Sequence, residues 1–248
     1  MMKILRFDFY KIFHSKVLLG LMIFTFCCTL LNPIIWYLIK NSTATVYSNL
    51  MQSNVLFGFL WVFAVPFAAK DISSNYVKNL VPSYSEKDKI FYILSKVIYI
   101  VLFCLAFMLL NFLVEIAFNY IFGVKCMYDP EWDGITVGQF YLQYFCRFWN
   151  YAAMGTLFLF LSVLLKKEYI VLIIVLPYLF MLSSMLYGAV NALAGNGFRI
   201  EQYTIFGIEG LFYNKTSPKE SWSYILTSTC YIVVFSVLSW LVFRKRSF

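Results

Sequence analysis

The sequence predicts an all-α membrane protein: one bundle of six transmembrane helices, preceded by an amphipathic helix at the membrane surface. Three observations lead there. The first is composition: 62% of the 248 residues are hydrophobic, 21% aromatic and only 13% charged. A water-soluble domain carries about 25% charged residues, because its surface must face water. A core of this size cannot be covered by so few charges, so the outer surface faces lipid. The second is a series of apolar runs near the roughly 20 residues that a helix needs to cross a bilayer. The third is the placement of Lys and Arg, which gather in alternate connecting segments.

The predicted elements follow in chain order. Residues 1–16 form the interfacial helix. Leu5, Phe9, Ile12 and Phe13 gather on one face, and Lys3, Arg6, Lys11 and His14 on another. Such a helix lies in the headgroup layer with its basic face toward anionic lipid. A basic start followed by an apolar stretch resembles a signal peptide. No small-residue cleavage site follows, and the stretch is too long for a signal's apolar region, so retention is expected.

The first span is Val17 to Ile39, uninterrupted by charge, and the second runs from about Asn54 to Ala69. The third covers Val97 to Phe122 with Glu115 as its one charge, and the fourth Phe140 to Leu165 with Arg147. The fifth is Tyr169 to Leu193 and the sixth Trp222 to Phe243, closed by Arg244, Lys245 and Arg246. Pro33, Pro66 and Pro177 lie inside spans, where neighbouring helices tolerate kinks.

Orientation follows from the basic residues. Fourteen of the twenty Lys and Arg fall on one side of this arrangement and five on the other, with Arg147 inside a span. The rich side is expected to be cytoplasmic, with both chain ends on it. The same distribution accounts for the net charge of +8 without nucleic acid.

The connecting segments are uneven in information. Asp129, Glu131 and Asp133 form an acidic cluster after the third span, which reads as a solvated loop. The stretch from Lys70 to Lys96 carries more. Ile72, Tyr76 and Leu80 recur at helical spacing on one face, and Pro82 ends the element. A second helix begins near Ser85, where Ser85-Glu86-Lys87-Asp88 fits a capping start, and runs on into the third span. On pattern alone this loop either docks on a partner or packs beneath the bundle.

Chemistry is sparse. One histidine, His14, excludes a multi-histidine metal centre, and no cysteine spacing fits a metal or redox site. Neither a phosphate-cradling loop nor a nucleophile elbow is present. No catalytic residue and no cofactor on this chain are expected. Glu115 and Arg147 are the charges a bilayer tolerates least; they read as a structural ion pair, as side chains snorkelling to the interface, or as part of a substrate pathway. Beyond them the spans offer little polar material for a membrane-embedded enzyme.

The order of features resembles the permease subunit of a type-2 ABC exporter: basic interfacial helix, six spans, and a long helical loop between the second and third. The fit covers essentially the whole chain, through Asp71, Asn75-Tyr76-Val77-Lys78-Asn79-Leu80, Pro82 and Lys96 in that loop. In length and layout the chain is similar to small bacterial permeases that export antimicrobial, cytolytic or lantibiotic-like peptides. The resemblance implies a bacterial cytoplasmic membrane, a separate cytoplasmic ATPase carrying ATP and Mg, and a second permease, identical or similar. It implies that Ile72 to Leu80 is a coupling helix, with Asp71, Ile72, Asn75, Tyr76, Lys78 and Leu80 facing the ATPase. It also implies that Gly195 to Ser221 dips back into the membrane. The rival expectation is a secondary transporter or channel that needs no ATPase; the halves show no matching broken-helix pair to support it.

Overall fold

The computed structural model describes residues 85–121, 136–165, 185–193, 200–211 and 216–245, with Tyr10, His14, Ile23, Cys27 and Ile34. Among them every regular element is helical and none is a strand. The long helices are α1 (Glu86–Ile121), α2 (Val137–Leu165) and α4 (Pro218–Arg244), and α3 is the short helix Ile205–Leu211. A 3-10 turn, Ile200–Tyr203, precedes α3, and residues 185–193 are helical. Most of the first predicted span, all of the second, most of the fifth, and the whole stretch from Asp71 to Leu80 lie outside the described residues. So do Lys3, Arg6 and Lys11, whereas Tyr10 and His14 are both helical.

At 1.5 Å per residue, the 36, 29 and 27 residues of α1, α2 and α4 make rods of about 54, 44 and 40 Å. All three are long and apolar enough to cross a bilayer. α1 begins eleven residues before the predicted third span, because the second helix of the loop continues into it without a break.

Each long helix opens with the same side-chain device. Ser85 Oγ accepts from the Asp88 amide at 3.3 Å while the Asp88 carboxylate accepts from the Ser85 amide at 3.2 Å. Thr136 and Gln139 do the same for α2, at 3.3 and 2.8 Å. Ser217 and Glu220 do it for α4, at 3.3 and 2.7 Å, with Pro218 at the first helical position. These boxes satisfy amides that no helical carbonyl can reach.

α2 is the central helix. Of its most apolar stretch 67% is buried, against 11% for α4, which turns Leu226, Val233, Val237 and Leu241 outward. On α1, Ile93, Val97, Ile100, Cys104, Met108, Asn111 and Glu115 form one buried stripe at three- and four-residue spacing. Leu102, Leu105, Leu109 and Leu113 occupy the outward face. Lipid tails are as apolar as leucine, so close packing holds such helices together more than exclusion from water does. Gly155 supplies the closest approach: a Cβ there would meet Ile100 Cγ2 at 2.5 Å.

Contacts give the helix directions. Tyr144 meets Met108, and Gly155, about 16 Å further along α2, meets Ile100, about 12 Å back along α1, so α1 and α2 run antiparallel. Gln143 meets Thr216 and Phe160 stacks on Phe235, so α2 and α4 run parallel. Tyr92 stacks on Phe243 and Arg244 pairs with Glu86 at 2.9 Å, which returns the end of α4 to the start of α1.

Candidate functional site

Polar side chains buried between the helices form a seam along α2. Toward α1 it presents Tyr144, Arg147 and Tyr151; toward α4 and the 200–211 segment it presents Gln143, Cys146 and Asn150. These are the two flanks of one helix face at three- and four-residue spacing.

The α1 side holds the charges. Glu115, Arg147 and Asn111 are each 0% exposed. The Arg147 Nε donates to the Tyr151 hydroxyl at 3.0 Å, and its guanidinium stands 5.7 Å from that ring's centre. Tyr144 donates to the Met108 carbonyl at 2.6 Å, fastening α2 to the backbone of α1. Glu115 and Arg147 both lie within electrostatic reach of the Tyr144 hydroxyl. Both are engaged within the protein. Both side chains are wholly buried.

The other side is a ladder of hydrogen bonds. Gln143 Nε2 donates to the Thr216 hydroxyl at 2.6 Å and to its carbonyl at 3.1 Å. The Cys146 thiol donates to the Ser221 carbonyl at 3.2 Å. Asn150 Nδ2 donates to the Ile205 carbonyl at 3.0 Å, and Ser228 donates to Asn150 Oδ1 at 3.4 Å. Trp149 Nε1 donates to the Thr229 hydroxyl at 2.8 Å.

This ladder fixes the depth of the 200–211 segment. Asn150 lies about 20 Å along α2 from Val137, and Tyr231, which donates to the Tyr203 carbonyl at 3.2 Å, lies about 20 Å along α4 from Pro218. Ile205 and Ile208 are buried there, at 2% and 0% exposure. Further bonds tie the segment to the 185–193 helix: Asn191 to Glu201 at 2.6 Å, and Thr204 to the Tyr187 hydroxyl at 2.7 Å. Gly207 is required by this fold-back, since a Cβ would meet the Glu201 backbone at 2.5 Å. An apolar cavity of about 310 Å³ opens beside it, lined by Leu157, Leu186, Tyr187, Val190, Phe206 and Tyr231 among others.

A family model described as "Protein of unknown function (DUF2705)" matches residues 18–248. The chain belongs to this family. A search of curated proteins finds no match. The DUF2705 match takes in all three long helices and every residue of the seam.

Of the side chains singled out by sequence, Glu115 and Arg147 are both wholly buried and both within electrostatic reach of Tyr144. His14 stands exposed on its own helical turn, with Nδ1 donating to the Tyr10 carbonyl at 2.9 Å and its ring stacked 3.9 Å from that of Tyr10. Asp71, Ile72, Asn75, Tyr76, Lys78 and Leu80 lie outside the described residues. The expectation that the spans hold little polar material beyond Glu115 and Arg147 is corrected: Asn111, Gln143, Asn150 and Ser228 are buried in them too, and Thr216 and Ser221 are buried just before the sixth. Uncharged amides and hydroxyls leave an apolar run unbroken, which hid them. Their spacing held the signal, with Asn111 one turn before Glu115, and Gln143 and Asn150 one turn either side of Arg147.

Proposed function

We propose that this chain is the transmembrane permease subunit of an ATP-driven exporter, resembling the type-2 ABC class and coupled to a separate cytoplasmic ATPase. It carries amphipathic peptides or other hydrophobic substrates across or out of a bacterial cytoplasmic membrane, and works as a pair with a second copy or a similar permease. It spans the membrane six times, with both ends and the 70–96 loop on the cytoplasmic side and the Lys3-to-His14 helix in the headgroup layer.

One observation carries this reading. The loop stretch just before Ser85 feeds into α1, a single unbroken helix that ends beside buried charges. Glu115 lies about 44 Å along the axis from Glu86, so a rod connects the loop to the far half of the bundle. A push on the loop becomes a tilt of that rod, and alternating access needs such rigid-body movement. Two further features agree with it. Lys87, Lys89, Arg244 and Lys245 cluster where α1 starts and α4 ends, as the cytoplasmic side requires. The 200–211 segment runs some 20 Å inward along α2 and α4, the depth of a re-entrant element.

The chain would then transmit work and break no covalent bond itself; ATP and Mg belong to the partner. Co-expression with the candidate ATPase and purification through the permease is expected to retain the ATPase. Tyr76→Asp is expected to lose it while membrane insertion stays intact. Vigorous transport by the chain reconstituted alone under a solute gradient would overturn the proposal in favour of a secondary transporter or channel.

A further inference from the structure

We propose that Asn111 anchors an internal water-binding site between α1 and α2, beside the Glu115 and Arg147 charges. The side chain is 0% exposed, and among the described residues neither its Nδ2 nor its Oδ1 has a partner within hydrogen-bond distance. Buried amides are almost always bonded, so this one calls for a ligand. Tyr144 stands beside Asn111 and within its influence, yet the two side chains are not within hydrogen-bond distance, and Tyr144 gives its proton to the Met108 carbonyl at 2.6 Å. The oxygen of that hydroxyl remains an acceptor, as do the lone pairs of Asn111 Oδ1, while Asn111 Nδ2 offers two donors.

The chemistry and size of the ligand follow from the surroundings. Asn111 and Tyr144 present donor and acceptor sites together, which suits a small molecule that both gives and accepts hydrogen bonds. An anion would face the Glu115 carboxylate and a cation the Arg147 guanidinium, so the ligand is neutral. Asn111, Glu115 and Arg147 are all wholly buried, so the ligand is one small enough to be enclosed with them, and water is the smallest that both gives and accepts hydrogen bonds. A buried water makes about three such bonds, and this site supplies them. Its consequence is hydration at depth: ionised groups in spans persist where they face water or each other, and here water reaches them inside the bundle.

Radiolytic hydroxyl-radical labelling in ¹⁸O-water tests this on the full chain in lipid nanodiscs, because a bound water turns into a radical beside its neighbours. Met108, one turn from Asn111 and 1% exposed, is the reporter; Met154, 0% exposed on α2, is the internal control. Met108 is expected to take up label on the order of tenfold more than Met154, since only the former adjoins the site. Equal protection of the two methionines overturns the proposal. Asn111→Leu is expected to bring Met108 down to the level of Met154, and undiminished labelling in that variant overturns the proposal as well. Should Asn111→Leu not fold, the comparison of Met108 with Met154 in the parent decides alone.

Discussion

Asn150 shows how one side chain holds two elements. It donates to the carbonyl of Ile205 and accepts from Ser228, so it pins the 200–211 segment and α4 to the same turn of α2. Asn150→Leu strands both partners in a buried setting, which costs about 1–3 kcal/mol. A lowered melting temperature in detergent, together with proteolytic opening near residue 205, is the expected result. Gly155 acts by what it lacks. Gly155→Ala drives a methyl against Ile100, and over-packing of that kind costs about 1–3 kcal/mol. Pairing it with Ile100→Ala is expected to recover most of the loss, whereas additive losses would mean that the two positions do not touch.

At the scale of the helix, caps and exposed ion pairs differ in weight. Ser217→Ala removes a capping box that serves a helix with little other burial, and a loss of about 1 kcal/mol is expected from thermal unfolding. Arg244→Gln breaks a pair whose members are half exposed, and the expected change is under about 0.5 kcal/mol. The cap of α1 depends on pH. The Ser85 hydroxyl, and then its amide, hold the Asp88 carboxyl below the ordinary carboxylate range. A lowered value means that the cap contributes fully above the ordinary carboxylate pKa and is lost as pH falls through the lowered one. Amide hydrogen exchange in the first turn of α1 is expected to quicken over that acid interval, and Asp88→Asn is expected to remove the dependence. The start of α1 was legible because Ser-x-x-Asp before an apolar run is a local signal. The equivalent boxes at Thr136 and Ser217 have the same form and were open to the same reading.

For the whole molecule, α1 runs opposite to α2 and α4, so the starts of α1 and α4 face opposite sides of whatever they cross. Lys87 and Lys219 stand at opposite ends of the bundle. In a cysteine-free background, Lys87→Cys and Lys219→Cys are expected to react with an impermeant maleimide from opposite faces of sealed vesicles. Labelling of both from one face would mean that α1 and α4 do not cross as antiparallel rods.

Composition and run length determined that this chain is helical and lives in lipid, because few charges and long apolar stretches leave no other solvent for the surface. The same local signals placed the third, fourth and sixth helices to within a few residues over most of their lengths, and showed that Glu115 and Arg147 are anomalous. Only the tertiary structure decided that both charges are wholly buried, that α2 is the central helix, and that the 200–211 segment packs beside it. Those facts depend on which faces of different helices meet. Run length is a sum along the chain, while packing is a match between surfaces 30 to 80 residues apart in it, as Tyr144 with Met108 and Asn150 with Ser228 are.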